Sequence, residues 1–273
     1  MKRLDVIGNV SRDVTRYPDH RGGTRLGGAA LLVALAAAKA GRPVAPVCVL
    51  GSDLDHLPQA SGLNQIDWSA HSKADGPSAR FELEYDRQGE LVAVRPDYGV
   101  ADRLTTHALA HVDKHPSGQY HVCCRRPLDT AAVLDRLVHS GADFSMDFFL
   151  PSAEAMIRAS APWLTKATTV FVNAAEYLLL QSIVDTAELR EIVVTDGPRG
   201  AAVWAFGRQT AAAVPPPHRL PREVSGAGDT LAGTFLAYRL QGATPAHALA
   251  EAVAAAARYV MAPSLPIPAQ RRA

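Results

Sequence analysis

Short apolar runs alternate with longer Ala- and Leu-rich segments along most of the chain. The pattern predicts a strand at residues 4–7, a helix between Gly28 and Gly41, and a second strand at residues 44–50. A strand, a helix and a strand at this spacing form a βαβ unit, in which the two strands lie parallel. The same rhythm continues in further apolar runs at residues 120–124, 144–148, 169–172 and 191–195. We therefore predict an α/β fold with a mostly parallel sheet.

One segment in the first half of the chain follows a different pattern. Phe81, Leu83 and Tyr85 alternate with charged residues, and a turn at residues 86–89 precedes another apolar run. Such alternation predicts a β-hairpin with one solvated face. Antiparallel strands inside an α/β chain indicate a small accessory sheet, and we expect the polar stretch at residues 11–25 to join it.

The composition is that of a folded protein without a strong charge excess. Of 273 residues, 28 are Lys or Arg and 27 are Asp or Glu, so the net charge is +1. A chain of this charge lacks the basic surplus with which proteins bind nucleic acid or acidic membranes. The longest apolar run, residues 29–38, has about half the length needed to span a bilayer. We expect neither nucleic acid nor a membrane as a partner.

The cysteines and the first residues point to a reducing compartment. Only Cys48, Cys123 and Cys124 are present, two of them adjacent, which argues against a disulfide scaffold. A charge interrupts the apolar run at residues 1–8, so that run does not have the core of a signal peptide. These features predict a cytoplasmic protein.

A glycine-rich segment, Gly226-Ala227-Gly228-Asp229-Thr230, stands where a loop becomes a helix. Its glycines allow backbone N–H groups to turn inward, and the helix dipole adds partial positive charge, so the place suits an anion such as a phosphoryl group in transfer. Asp229 then makes sense as a general base for an attacking hydroxyl. An ordinary glycine turn with an acidic residue in the first helical turn explains the local pattern equally well.

Two better-known nucleotide-binding loops do not fit this chain. A Walker A loop requires GxxxxGK[ST], which does not occur in the sequence. A dinucleotide fingerprint requires a sixth-place glycine, where this chain has Leu231, and the 44 residues after Asp229 (273 − 229) are too few for a Rossmann domain. An NAD-dependent oxidoreductase is therefore disfavoured.

Five further motifs precede the glycine-rich segment: Gly8-Asn9 with Asp13, Gly27-Gly28, Gly51-Ser52-Asp53, Asn173-Ala174-Ala175-Glu176, and Thr195 to Gly200. With all six in this order, nearly the whole chain resembles the ribokinase-like sugar and nucleoside kinases, also called the PfkB carbohydrate kinase family. The resemblance implies a three-layer α/β/α core with a small β-sheet lid. We expect a single kinase domain over residues 1–273, with lid segments at about 11–25 and 78–97.

The resemblance also implies an activity, which is ATP-dependent phosphorylation of a hydroxyl on a sugar, nucleoside or related polyol. Asp229 would be the catalytic base, and the backbone N–H groups of Gly226, Ala227 and Gly228 would form the anion hole for the γ-phosphoryl group. Such chemistry needs positioning and charge neutralisation more than covalent help.

The binding residues and partners implied by the resemblance fall into two groups. On the substrate side, Asn9, Asp13 and Gly28 would face the hydroxyls of the small-molecule substrate. The residues expected at the ATP are Asn173, Thr195, Gly197 and Gly200, with Glu176 holding Mg²⁺, through water. Lids of this family often mediate dimers, so a homodimer through the lid is also implied.

The chain departs from the family pattern at several places. Glu223 and Val224 replace a usual Asp and a common Thr, Leu32 replaces a usual Asn, and the stretch from Asp147 to Pro151 lacks the Asn and Arg of a common D-x-N-x-R motif. These departures lie mainly on the substrate side and suggest an unusual acceptor. They also motivate an alternative, a non-catalytic ligand-binding or regulatory protein on the same fold, which would have no need of Asp229.

Two smaller groups of residues have competing interpretations. His107 and His111 have the i, i+4 spacing of a helical metal site, but we expect a solvated helix surface. Arg125 and Arg126 either bind a phosphate on the substrate or form the exposed end of a strand, and we expect the exposed end.

Overall fold

A computed structural model describes residues 2–20, 22–216 and 221–269. Its strands are β1 (Leu4–Ile7), β2 (Ser11–Arg16), β3 (Gly22–Gly27), β4 (Val44–Val47), β5 (Val49–Leu50), β6 (Ser72–Lys73), β7 (Ala79–Tyr85), β8 (Leu91–Asp97), β9 (Gln119–Cys124), β10 (Asp143–Phe148), β11 (Val170–Asn173), β12 (Ile192–Thr195), β13 (Ala201–Ala205) and β14 (Arg208–Ala213). Its α-helices are α1 (Ala29–Lys39), α2 (Leu104–Lys114), α3 (Thr130–Ser140), α4 (Ala153–Ser160), α5 (Ala174–Ile183), α6 (Ala227–Leu240) and α7 (Pro245–Met261).

In the described part of the chain, eight strands form the main sheet in the order β14-β13-β12-β11-β10-β9-β1-β4. The strands from β12 to β4 are parallel, and β13 and β14 are antiparallel additions at one edge. The predicted α/β fold with a mostly parallel sheet is confirmed. Because parallel strands end at the same edge of a sheet, the loops that follow β1, β9, β10, β11 and β12 share one edge.

Helices cover both faces of the main sheet. The core on one face includes residues of α1, α6 and α7, and the core on the other face includes residues of α2, α3, α4 and α5. Close packing of α1 on α6 depends on Gly233, where a Cβ would lie 2.2 Å from the Val33 carbonyl oxygen. The glycine-rich segment therefore begins a helix that is fixed firmly against α1.

A second, smaller sheet has the order β3-β2-β7-β8, and we refer to it as the small sheet. Strands β7 and β8 form the predicted hairpin, and β2 joins β7 in parallel, so the expectation that residues of the 11–25 stretch contribute is confirmed. Arg21 of that stretch lies outside the described residues. The small sheet connects to the core beside Gly51, where a Cβ would lie 2.4 Å from both the Gly76 carbonyl oxygen and the Ser78 nitrogen. The fold class expected from the sequence is thus confirmed in both of its parts.

Two details differ from the sequence expectation. The strand predicted at residues 44–50 is divided at Cys48, because β4 pairs with β1 whereas β5 pairs with β6. The expected solvated surface at His107 and His111 is wrong. His111 is buried with its Nε2 2.7 Å from Asp5 Oδ2, and His107 Nε2 lies 2.8 Å from the Ala70 carbonyl oxygen.

None of the helices within residues 2–20, 22–216 and 221–269 combines the length and the apolar character that a membrane crossing requires.

Candidate active site

Asp229 lies in the first turn of α6 and faces the end of β9. Its side chain is 14% exposed, and its Oδ1 is 3.7 Å from Nη2 of Arg125, the residue that follows β9. The same Arg125 nitrogen lies 2.5 Å from Oδ2 of Asp147 on β10. Burial raises the pKa of Asp229, Arg125 opposes this shift, and Asp147 adds to it. A carboxyl group with a raised pKa beside a fixed cation is suited to take up a proton.

Arg125 is a site residue that the sequence analysis missed. We expected Arg125 and Arg126 at an exposed strand end, which holds for Arg126 but is wrong for Arg125, whose side chain is only 16% exposed. The chain turns inward after β9, so the Arg125 guanidinium lies between two carboxylates and 5.5 Å from the Phe149 ring centroid. Burial disfavours its charge, but Asp147 and Asp229 raise the pKa of Arg125 above its usual value.

Two buried polar atoms around Arg125 have no hydrogen-bond partner among the described residues. They are Nε of Arg125 itself and Oδ1 of Asp147. Buried polar atoms in proteins are nearly always paired, so such atoms in a cleft point to a ligand. A positive group and a free carboxylate oxygen together suit a phosphate with its metal ion.

The glycine-rich segment has the backbone geometry of a helix start. Gly226 has a φ of 91°, and a Cβ there would lie 2.5 Å from Leu32 Cδ1 and 2.6 Å from the Tyr259 hydroxyl. The N–H of Ala227 donates to the Val224 carbonyl, whereas those of Gly226 and Gly228 have no acceptor in the described part of the chain. Gly226 and Gly228 are thus the better-placed donors for an anion.

Leu32, one of the departures from the family pattern, packs directly under this segment. Its side chain lies in α1, is 5% exposed, and fills the space where a Cβ on Gly226 would stand. An apolar side chain here supports the turn at Gly226 by packing. Leu32, which cannot form a hydrogen bond with a substrate hydroxyl, therefore has a packing role in the site.

The structure brings Asn9, Asp13 and Gly28 together beside β2. Asp13 is buried and accepts a hydrogen bond from Ser11 Oγ at 2.6 Å. Burial raises the pKa of Asp13 to about 6, and the charge of Asp229 contributes to the shift. Oδ1 of Asn9 is buried without a partner among the described residues. These groups are the polar lining expected for a hydroxyl-bearing substrate.

Gly27 and Gly28 allow this close arrangement. A Cβ on Gly27 would lie 1.9 Å from Asp13 Oδ2, and one on Gly28 would lie 2.3 Å from the Asn9 carbonyl oxygen. Gly28 also has a φ of 93°, in the region that favours glycine. The di-glycine element is therefore required by contact with Asp13 and Asn9.

Asn173 and Glu176 form the capping box that starts α5. Oδ1 of Asn173 accepts from the Glu176 N–H at 2.9 Å, and Oε2 of Glu176 accepts from the Asn173 N–H at 2.8 Å. Burial raises the pKa of Glu176 to about 7, and the charges of Asp147 and Asp229 contribute. Both residues thus have a structural role that the sequence analysis did not foresee, and Glu176 also lies within electrostatic reach of the candidate base.

The remaining nucleotide-side residues lie along the same edge of the main sheet. Thr195 pairs in register with Asn173 across β11 and β12. Gly197 is exposed in the turn that follows β12. Gly200 ends this turn with a φ of 108°, and a Cβ at Gly200 would lie 2.2 Å from the Ala213 carbonyl oxygen. The order of the strands therefore places Thr195 beside the capping box, with the glycine turn next to it.

The chemistry of the donor set fits Mg²⁺ at this edge. Asp147 and Glu176 supply carboxylate oxygens, which are the ligands that Mg²⁺ prefers, and Oδ1 of Asp147 is free among the described residues. Donor atoms of His121, Cys123 and Asp147 also lie within 4.8 Å of one another. Because burial raises the pKa of the Cys123 thiol, the thiolate that would bind a metal is disfavoured, and that second group is a poor metal site.

Comparison with protein families and curated proteins gives matches over most of the chain. The sequence model of the pfkB family carbohydrate kinases matches residues 1–269. A cytidine kinase from Thermococcus kodakarensis is 27% identical over 249 residues, which cover 87% of this chain and 88% of that protein.

Solved structures share the same architecture. A nucleoside kinase from Burkholderia thailandensis, in complex with ADP-inosine, superposes with a TM-score of 0.78 at 18% identity and covers 96% of this chain and 90% of its own. A putative ribokinase II from E. coli, in complex with ATP and Mg²⁺, gives a TM-score of 0.78 at 17% identity, and the match covers 97% of this chain and 94% of that chain. At such low identity these likenesses establish a common fold.

Proposed function

The chain belongs to the pfkB family of carbohydrate kinases, and from this premise we propose that it transfers the γ-phosphoryl group of ATP to a hydroxyl of a nucleoside or a related sugar. The observation that carries the proposal is the place of Asp229. Its buried carboxyl stands at a helix start, next to the unengaged amides of Gly226 and Gly228 and within electrostatic reach of Asp13. The cytidine kinase relative and the fold shared with a nucleoside kinase support a nucleoside as the acceptor.

The proposed reaction divides the work among these residues. Asp13 and Asn9 bind hydroxyls of the acceptor, and Asp229 removes the proton from the attacking hydroxyl. The oxygen of that hydroxyl bonds to the γ-phosphorus while the bond from the γ-phosphorus to the bridging oxygen breaks and ADP leaves. Backbone N–H groups of Gly226 and Gly228 stabilise the charge on the transferred group, with the Ala227 N–H available if its bond to Val224 opens.

Arg125 supplies the side-chain cation of the proposed site. Its free Nε and its position 3.7 Å from Asp229 suit contact with the transferred phosphoryl group. A guanidinium is well matched to phosphate oxygens and keeps its charge at any working pH. We propose that Arg125 takes the place of the arginine that the chain lacks after Asp147.

On the nucleotide side, Asn173, Thr195, Gly197 and Gly200 would line the ATP. Asp147 and Glu176 would hold Mg²⁺, directly or through water, and Mg²⁺ in such a place neutralises charge on the phosphates. Because Oε2 of Glu176 is engaged in the capping box, its second oxygen is the one available for this role.

We also propose that residues 1–273 act as one kinase domain, in the cytoplasm, with the small sheet as a lid over the acceptor. Val92, on β8 at one edge of the small sheet, is an exposed apolar residue, a feature that agrees with the homodimer expected there. Light scattering of the purified protein tests the dimer, with Val92→Glu as the variant expected to dissociate it.

The test of the function is an acceptor screen with the full chain. ADP formation from ATP and Mg²⁺ is measured with cytidine, adenosine, inosine, ribose and a polyol, and mass spectrometry identifies the phosphorylated product. We expect turnover with at least one nucleoside and a kcat about 10²–10⁴-fold lower with Asp229→Asn. Tight nucleoside binding without any turnover would instead favour the non-catalytic ligand-binding protein.

A further inference from the structure

Glu223, which stands three residues before Gly226, is the centre of a buried polar network. Its side chain is 2% exposed. Thr15 donates to Oε2 at 2.7 Å, Tyr17 donates to Oε1 at 2.6 Å, and the Ser225 N–H donates to Oε1 at 2.9 Å. Thr15 is on β2 and Tyr17 directly follows it, so Glu223 joins the small sheet to the loop that precedes α6.

Arg25 of β3 is the cation of this network and is fully buried. Its Nη1 lies 3.3 Å from Oε2 of Glu223 and donates to the Ser225 carbonyl at 3.0 Å, while its Nη2 donates to the Tyr259 hydroxyl. Tyr259 in turn donates to the same Ser225 carbonyl at 2.8 Å. Two donors therefore hold one carbonyl oxygen, which belongs to the residue immediately before Gly226.

The planarity of the peptide bond gives this arrangement a consequence for the anion hole. In a trans peptide the carbonyl and the following N–H point in opposite directions. Because Arg25 and Tyr259 hold the Ser225 carbonyl, the Gly226 N–H is directed away from them, and it has no acceptor among the described residues. The direction of one proposed phosphoryl-binding amide is thus fixed by the guanidinium of a residue in the small sheet.

We propose that Arg25 is a positioning residue, an internal cation that orients the Ser225–Gly226 peptide for phosphoryl transfer and couples the small sheet to the anion hole. The proposal rests on the proposed kinase function. Arg25 acts through the backbone, whereas Arg125 would touch the phosphoryl group itself. Removal of Arg25 leaves a hole lined by a carboxylate, a carbonyl and a hydroxyl, which a small cation of the same chemistry can fill.

The test combines Arg25→Ala with added guanidinium ion and measures kcat and KM for ATP and for the best acceptor. We expect kcat to fall about 10- to 100-fold, as for a displaced catalytic group, with smaller changes in either KM. Guanidinium chloride at concentrations well below those that denature proteins should restore part of the lost kcat. A role limited to folding stability predicts no such rescue.

Arg42→Ala is the matched control, since Arg42 is another buried arginine that bonds to a backbone carbonyl, that of Leu240, away from the site. We expect it to lower the melting temperature but to keep kcat, with no response to guanidinium. If Arg25→Ala retains wild-type kcat, or loses activity without rescue while folded, the proposal is wrong.

Loss of one member of a buried ion pair can prevent folding, because the other charge stays buried alone. The double variant Arg25→Met with Glu223→Gln removes both charges, so it tests the proposal even if Arg25→Ala alone does not fold. It should fold and show the same loss of kcat, and wild-type kcat in this variant would also overturn the proposal. A wild-type protein inactive with every acceptor contradicts the kinase function and this inference with it, whereas an active wild type with an equally active Arg25→Ala contradicts the inference alone.

Discussion

Arg125 Nη2 stands 3.7 Å from Asp229 Oδ1 and 2.5 Å from Asp147 Oδ2, so a single guanidinium links the start of α6 to two neighbouring strands. The sequence separates these three residues widely, and only the parallel strand order brings them to one edge. The relationship makes the protonation of Asp229 dependent on Arg125.

Asp229→Asn should lose about 10²–10⁴ in kcat, because an amide cannot accept the hydroxyl proton in the transition state. The substitution keeps the size of the side chain, so the circular dichroism spectrum and the melting temperature should stay close to those of the wild type. Steady-state ADP formation measures the loss. Wild-type turnover in this variant would exclude Asp229 as the base.

Arg125→Gln should lower kcat/KM about 10²–10³-fold, as loss of a donor to the developing charge does. Arg125 opposes the rise in the pKa of Asp229, so its removal should raise that pKa further and move the acidic limb of the pH–rate profile to higher pH. The control is Arg126→Gln at the neighbouring, exposed position. This variant should keep both the pH–rate profile and the kcat/KM of the wild type. An unshifted acidic limb in Arg125→Gln contradicts the electrostatic link.

Asp13→Asn should raise the KM for the phosphoryl acceptor about tenfold. A carboxylate oxygen accepts stronger hydrogen bonds from substrate hydroxyls than an amide oxygen does. The KM for ATP should change little, since Asp13 lies on the substrate side. The pKa of Asp13 is about 6, so the wild-type KM for the acceptor should also rise as the pH falls below that value. Initial rates with each substrate varied in turn check both statements.

Glu176→Gln should make the protein more stable than the wild type at pH 8 and equally stable at pH 4. The pKa of the buried Glu176 is raised to about 7, so the folded state holds its proton more tightly than the unfolded chain does. Wild-type stability is therefore lost as the pH rises from about 4.5 to 7, by up to about 3 kcal/mol.

Urea unfolding of both proteins across this pH range measures the difference. Gln preserves the capping box, so loss of the cap does not confuse the result. Glu154→Gln, at an exposed position of α4, should give no pH-dependent difference from the wild type. A constant gap between Glu176→Gln and the wild type at all pH values contradicts the prediction.

Gly226→Ala should cost about 1–3 kcal/mol of folding free energy, the range for a non-glycine residue held in strained backbone. Its φ is 91°, and the new Cβ would overlap Leu32 and Tyr259. Gly228→Ala is the matched comparison, because a Cβ there meets nothing within 4 Å and the position is helical. Chemical unfolding should show that Gly228→Ala is tolerated, and equal losses at both glycines would contradict the steric argument.

Much of the fold could be predicted from local pattern. The helix at Thr130–Ser140 and the helix at Pro245–Met261 have the bounds that apolar periodicity and capping residues indicate, and the hairpin at β7 and β8 follows from alternation. The division of the strand at Cys48 could not be predicted, because it depends on which distant strand each half pairs with. The same applies to His111, whose polar partner Asp5 is brought to it from β1.

The sequence by itself determined the alternation of strands and helices and the glycine-rich start of α6 with Asp229, because each of these depends on neighbours along the chain, and its resemblance to a family supplied Asp13 and Glu176 as candidates. Only the tertiary structure decided that Arg125 lies between two carboxylates, that Leu32 supports Gly226, and that Arg25 and Glu223 form a buried pair. The physical reason is that ion pairing and packing act through space. From sequence alone a charged residue is predicted to be solvent-exposed, because the opposite charge that pairs with it is brought close only by the fold.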